Sequence, residues 1–389
     1  MSGIEPPPLA LYLHFPWCVK KCPYCDFNSH PLHEALPEAA YLAALEADLN
    51  ALLARYESLS ARIIGSIFMG GGTPSLFSPA TLHSLLDTIR ARLTLAADVE
   101  ITLEANPGTL RENLAKEKLG AYQAAGINRL SLGIQSFDSA CLARLGRIHN
   151  GEEARQAIER AIEYFPSVNL DLMYGLPGQT FSGALKDLER ALASGATHLS
   201  CYQLGIEPHT AFAVDPPSDL PNSDLCADMQ DALEARLHDA GFLHYEISAF
   251  ARPGFACRHN LNYWQFGDYL GLGAGAHGKL TAPSGIFRQT RWRQPETYIQ
   301  QALKGNALET ETPVPAAELP FEFLMNALRL VEGFAPSFFT ARTGCHLSAI
   351  RPQLEQVQAD GLLLLSSERI IPTRPGRRFL NQLLTRFLS

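Results

Sequence analysis

Three cysteines crowd into eight residues, Cys18-x3-Cys22-x2-Cys25, while the other five cysteines are scattered along the chain. With eight cysteines in 389 residues, such a spacing arises by chance roughly three times in a thousand. Three thiolates hold three irons of a 4Fe-4S cluster and leave the fourth iron open to a ligand, whereas a closed structural metal site wants a fourth protein ligand. A zinc site completed by His14 or His30 is the plainer alternative. Either metal site fits this distribution better than a disulfide framework does, and implies a reducing, cytoplasmic compartment.

Other residues capable of chemistry recur at regular intervals after short apolar runs. They read Gly70-Gly71-Gly72-Thr73-Pro74, Glu104-x-Asn106-Pro107, Gly133-x-Gln135-Ser136-Phe137 and Asp171-x3-Gly175-Leu176-Pro177. A glycine run lets backbone approach a ligand closely and offers N–H groups to a carboxylate, although a tight turn uses glycines too.

The elements that must position these residues alternate between strand and helix. Strands are expected at 9–15, 63–69, 99–103, 129–133, 168–173 and 197–203, with helices at 41–56, 82–92, 112–125, 152–164 and 181–193. Six βα units predict an α/β fold, a partial TIM-like (β/α)6 barrel whose chemistry collects at the carboxyl ends of the strands. A proline-rich stretch over 207–221 marks the exit from this core, so a first domain is expected over 1–215. A barrel-covering extension follows over 216–312, with a helix at 223–240, a strand at 243–247 and a Gly-rich segment at 267–278. Residues 313–389 read as a small winged-helix-like domain: helices at 316–331 and 347–358, a hairpin at 362–372, and a last helix ending at 388.

Composition bounds the function. The chain is 46% hydrophobic with a formal net charge of −8, enough apolar residue for a large core and a smaller one, and unsuited to nucleic acid as main partner. No apolar run reaches the roughly 18 residues of a spanning helix, and the start carries Glu5 and three prolines where a signal peptide would be basic. Residues 341–389 hold seven arginines, no lysine and three acids. A DNA-binding winged helix is one reading of that charge; a solvated face, or a dock for an acidic acceptor protein or lipid headgroups, explains it without discarding the cysteines.

The cysteine triplet and the rim motifs, in order across about 205 residues, resemble the radical S-adenosylmethionine superfamily. The resemblance implies a 4Fe-4S cluster on Cys18, Cys22 and Cys25. It also implies S-adenosylmethionine, chelated to the open iron and cleaved to a 5′-deoxyadenosyl radical, in a pocket made by Tyr12, Tyr24, Gly71, Gly72, Thr73, Glu104, Gln135, Arg147 and Asp171. Within the superfamily, Leu11-Tyr12-x-His14-x-Pro16-x-Cys18 and Gly175-Leu176-Pro177-x-Gln179-Thr180 are similar to the oxygen-independent coproporphyrinogen oxidase group.

Two branches of that group differ in function: the oxidase, which oxidatively decarboxylates porphyrinogen propionates, and the HemW-type heme chaperone. The oxidase carries a further cysteine two residues after the triplet, where this chain has Phe27, and a long covering segment before it, where 17 residues precede Cys18. Cys257-Arg258-His259-Asn260-x-x-Tyr263-Trp264 resembles the H-N-x-x-Y-W element of the chaperone branch. These features point to a chaperone without oxidase activity. The element implies His259 as a heme ligand, Tyr263 and Trp264 flat against the porphyrin and Arg258 on a propionate, with Cys257 and His277 as other candidate ligands. The same residues also read as a turn with core anchors. Expected partners are heme, an apo-hemoprotein acceptor, lipid at a peripheral contact and a second copy of the chain.

Overall fold

In β1 (Leu9–Phe15), Leu9, Leu11, Leu13 and Phe15 belong to the main core while Tyr12 and His14 alternate to the other face, the two-residue period of a strand whose sides meet different surroundings. The computed structural model describes residues 4–110 and 112–388, leaving aside the side chains of 112–114. After β1 come α1 (Glu38–Arg55), β2 (Ile63–Gly71), α2 (Pro79–Arg92), β3 (Thr94–Ala105), α3 (Glu112–Ala124), β4 (Arg129–Gln135), α4 (Gly151–Tyr164), β5 (Ser167–Tyr174), α5 (Phe181–Ala193) and β6 (His198–Gln203). The six strands are parallel and adjacent in sequence order. Three of these helices start where side chains satisfy their free N–H groups: Ser78 accepts from Thr81, Thr180 from Gly183, and Asn150 with Glu153 forms a capping box.

Residues 216–312 continue the same sheet at both edges. After α6 (Ser223–Asp239), β7 (Leu243–Glu246) and β8 (Ala249–Ala251) join beyond β6; after α7 (Arg258–Trp264), β9 (Asp268–Leu272) pairs parallel with β1 and leads into the antiparallel β10 (His277–Ala282), β11 (Gly285–Arg291) and β12 (Leu308–Pro313). The order is β12-β11-β10-β9-β1-β2-β3-β4-β5-β6-β8-β7, twelve strands whose parallel middle is a barrel that does not close on itself. One core runs from Leu9 to Ala307 across both segments.

A second core holds the C-terminal part: α8 (Leu319–Ala327), α9 (Pro336–Thr343), α10 (Arg351–Ala359), the hairpin β13 (Leu363–Leu365) with β14 (Ile370–Pro372), and α11 (Leu380–Thr385). The single helix expected over 316–331 is shorter, and α9 was not anticipated. The apolar run outlasts α8 because Phe334 leaves the helix to bridge Ile370, with Gly333 so close to the Ile370 carbonyl that a Cβ would stand 1.9 Å from it. Among the described residues no helix is long and apolar enough to cross a membrane.

Candidate functional site

The cysteine loop begins where β1 ends. Trp17–Cys18 pairs in parallel with His30–Pro31, so the Pro16 and Cys18 carbonyls accept from His30 and Leu32 and close the loop at its base. Trp17 anchors that base, buried edge-on to Tyr41 at 4.8 Å between ring centroids. Inside the loop each thiol meets a side-chain donor: Thr73 Oγ1 lies 3.4 Å from Cys18 Sγ, Arg147 Nη1 3.7 Å from Cys22 Sγ, and Ser29 Oγ 3.6 Å from Cys25 Sγ. Burial pushes the Cys18 thiol up, with Thr73 opposing; a metal, by contrast, would hold it as thiolate. His14 and His30 commit ring nitrogens elsewhere, His14 to the Tyr12 hydroxyl and the Asn28 carbonyl, His30 to Asn28 Oδ1. Among the described residues no three His, Cys, Asp or Glu side chains gather round a single-ion point. The zinc alternative therefore finds no fourth ligand in either histidine.

The loop opens onto a cavity of about 300 Å³ lined by Cys18, Cys22, Cys25, Tyr24, Gly71, Gly72, Thr73, Glu104, Gln135, Arg147 and Asp171. Strand ends bring them together. Gly71 has φ +107°, and its N–H donates to Glu104 Oε2 at 3.1 Å. A Cβ on Gly71 would stand 2.3 Å from the His14 ring, and one on Gly72 2.6 Å from the Trp17 carbonyl. The glycines thus admit neighbouring chain, not only ligand, and a side chain at 71 would strike His14 before reaching the cavity. Gln135 also sits in the left-handed region, φ +67°, at a break in the β4–β5 register. Asp187 of α5 holds that turn, accepting from Ser136 Oγ at 2.6 Å and Phe137 N at 2.9 Å. Strain of about 1–3 kcal/mol at such a residue persists only where surroundings enforce it.

Arg147 is nearly buried; Nη2 donates to the Gly133 carbonyl at 2.6 Å, Nη1 to Cys22, and Nε has no partner. An orphaned buried donor beside three thiols and two carboxylates suits a ligand carrying both an anionic and a cationic group. Burial, and then the facing Asp171, push Glu104 up to about 8. Burial also raises Asp171, against hydrogen bonds from Asn169 and Ser131.

Tyr12 is the one predicted pocket residue outside this lining. It lies deeper in the barrel, its hydroxyl on His14 Nδ1 at 3.0 Å and its ring beside Phe68 and His259. Sequence reasoning passed over Lys20, Ser29, Ala105, Ser131, Met173 and Tyr202, which line the cavity as well. Strand alternation was the available signal for Ser131 and Met173, each two residues from a rim residue already singled out.

The structure does not bring His259 to the cavity. Helix α7 lies against β1, β2 and β9 and packs into the barrel interior below the rim. Glu100 of β3 holds its first turn, accepting from Arg258 N at 3.1 Å, His259 N at 3.2 Å and Cys257 Sγ at 3.5 Å. His259 Nδ1 meets Ser66 Oγ at 3.1 Å and Nε2 meets Tyr263 Oη at 3.0 Å; burial lowers this imidazole to about 3. Tyr263 is edge-on to Tyr269, Trp264 lies beneath Arg329 of the C-terminal part, and Arg258 pairs with Asp98. The rings expected flat against a porphyrin are packed against protein here. Of the three candidate ligands, Cys257 and His259 are buried and His277 is exposed.

Residues 12–191 match the Radical SAM superfamily model and residues 314–379 the HemN C-terminal domain. "Heme chaperone HemW" of Escherichia coli (strain K12) is 47% identical over 99% of this chain and 100% of its own length, and its namesake in Haemophilus influenzae 46% identical over 98% of each. "Radical S-adenosyl methionine domain-containing protein 1, mitochondrial" of Bos taurus is 36% identical over 98% of this chain and 87% of its own. Among solved structures, the coproporphyrinogen III oxidase (HemN) of Escherichia coli, 24% identical, superposes with a TM-score of 0.81 over 98% of this chain and 90% of that one, a likeness of fold. At this identity and coverage the chain belongs to the HemW family of radical SAM proteins.

Proposed function

We propose that this chain is a heme chaperone that binds heme and passes it to an apo-hemoprotein acceptor, on a scaffold that keeps a 4Fe-4S cluster and S-adenosylmethionine. Cys18, Cys22 and Cys25 would hold the cluster. Glu104 and Asp171 would take the ligand's cationic and hydroxyl groups, Arg147 its carboxylate, and Tyr24, Gly71, Gly72, Thr73 and Gln135 the remaining cavity wall, with Tyr12 supporting from below through His14. Bound together, cluster and S-adenosylmethionine supply one-electron chemistry at a sulfonium carbon. The protein's part is to exclude water, orient the ligand and hold Glu104 poised to give up a proton when a cation arrives.

The observation that carries the chaperone reading over the oxidase is Phe27. It lines the same cavity and is 60% exposed, so a phenyl ring stands at the mouth where the oxidase branch has a further thiol. His259 remains the proposed iron ligand, reached when α7 leaves its seat; His277 is the exposed alternative. Of the division into 1–215, 216–312 and 313–389, the separate C-terminal core supports the last boundary, while the first two segments share one core. Eight unpaired cysteines suit the cytoplasm, and a second copy of the chain or a peripheral lipid contact at the Arg-rich C-terminal part completes the proposed partners.

The test is transfer. Heme-loaded full-length protein, mixed with an apo-hemoprotein, should lose its heme spectrum as the acceptor gains its own, faster than free heme loads that acceptor; heme retained after mixing would sink the chaperone reading.

A further inference from the structure

Two of the donors facing the thiols, Thr73 and Arg147, belong to residues already given a part in holding the ligand. Ser29 lines the same cavity and has been given none. It is buried, its Oγ lies 3.6 Å from Cys25 Sγ, and nothing in the pocket's other work calls for it. A thiolate has no proton to give, so with the cluster bound the hydroxyl must be the donor. A hydrogen bond to a ligating sulfur stabilises the reduced, more negative cluster more than the oxidised one and raises its reduction potential.

Asn28 fixes where that hydroxyl sits. Its Nδ2 donates to the carbonyls of Ala274 and Arg293, both at 2.9 Å, and its own carbonyl accepts from His14 Nε2 at 2.8 Å. Ala274 follows β9 and Arg293 follows β11, so both acceptors belong to the extension, not to the βα core. Gly275, φ +75°, completes the seat: a Cβ there would stand 2.3 Å from Asn28 Nδ2. The side chain next to Ser29 is therefore fastened to chain some 250 residues away, while the cysteine loop's own base is closed by local pairing at His30–Pro31.

We infer that Ser29 sets the reduction potential of the cluster through Cys25, and that Asn28 is the positioning residue by which the extension holds Ser29 in place. This rests on the reading that Cys18, Cys22 and Cys25 carry a 4Fe-4S cluster. It makes the cluster's potential depend on the seating of the Gly-rich segment, the part of the chain that also carries His277.

The experiment is an anaerobic potentiometric titration of reconstituted full-length protein, followed by electron paramagnetic resonance, with iron and sulfide counted for every variant. Ser29→Ala should keep a full cluster and a lower midpoint potential, so that at the wild-type midpoint the ratio of reduced to oxidised cluster falls roughly two- to fivefold; Ser29→Thr should restore it. Asn28→Asp, which removes the Nδ2 donor and keeps the side chain's size, should lower the potential in the same direction, and adding it to Ser29→Ala should change nothing further. A wild-type potential in Ser29→Ala at full iron content overturns the inference. A wild-type potential in Asn28→Asp, or an additive double variant, overturns the role of the extension. Wild-type protein that takes up no iron and sulfide strikes the cluster reading itself, a result distinct from any shift in potential.

Discussion

His259 Nδ1 stands 3.1 Å from Ser66 Oγ inside the barrel, and its other nitrogen meets Tyr263 at 3.0 Å. Iron ligation through His259 has to break the bond at the ligating nitrogen, and carrying the ring out of its seat breaks both. His259→Ala should abolish the heme-bound absorption spectrum and His277→Ala should leave it, while Ser66→Ala should speed heme uptake about fivefold by removing one hydrogen bond of roughly 1 kcal/mol. Stopped-flow mixing with heme reads both. Loss of the spectrum in His277→Ala with His259→Ala unaffected would move the ligand to the exposed imidazole.

Acid should destabilise the fold through its buried imidazoles. Burial lowers His14 to about 4 and His259 to about 3, whereas both titrate near 6.5 in the unfolded chain. The unfolded state then binds more protons below pH 6.5, so stability falls as pH drops from 6.5 towards those values. His14 alone accounts for ~2 kcal/mol by pH 5. Urea unfolding at pH 7 and pH 5 checks this, and equal midpoints would refute it.

Glu104 works in the opposite sense. Its carboxyl, pushed up to about 8 by burial and then by Asp171, is neutral in the ligand-free protein at pH 7 and adds stability that is lost as pH rises from about 4.5 through 8. A cationic ligand favours the ionised form, so S-adenosylmethionine should bind tighter as pH rises from 7 to 9. Calorimetric titration of wild type against Glu104→Gln isolates the effect from the ligand's own titration; parallel profiles in the two proteins would remove Glu104 from the site.

Cys18→Ser, Cys22→Ser and Cys25→Ser should each prevent a stable 4Fe-4S cluster, and Cys345→Ser, distant in the second core's periphery, should not. Iron and sulfide analysis after anaerobic reconstitution decides it: a full cluster in Cys22→Ser would falsify the assignment. Gly71→Ala should cost stability before it costs ligand affinity, because φ +107° and the His14 ring both oppose a Cβ.

The six parallel strands were legible because residues such as Leu9, Leu11 and Leu13 face helices while Tyr12 and His14 face the interior, and a period of two survives in one sequence. Glu104, Gln135, Asp171 and the glycines of the cavity rim followed from strand ends, whereas Tyr24 and Arg147 lie in loops and came only through the family resemblance. What sequence could not show was depth. Tyr12 and His259 both lie below the rim, since α7 enters the barrel through contacts between Glu100 and residues more than 150 positions away. Ser29 was equally hidden, because its place depends on Asn28 reaching Ala274 and Arg293. Helix α9 was missed where a proline start and Gly344 at φ +69° bound a short segment with few apolar repeats.

The claim that this is a chaperone and not an oxidase is tested most directly by incubating the reconstituted protein anaerobically with S-adenosylmethionine, a reductant and coproporphyrinogen, and measuring porphyrin products. The account predicts unchanged coproporphyrinogen, in wild type and equally in Phe27→Cys, alongside retained heme binding. Formation of protoporphyrinogen by the wild type would contradict it.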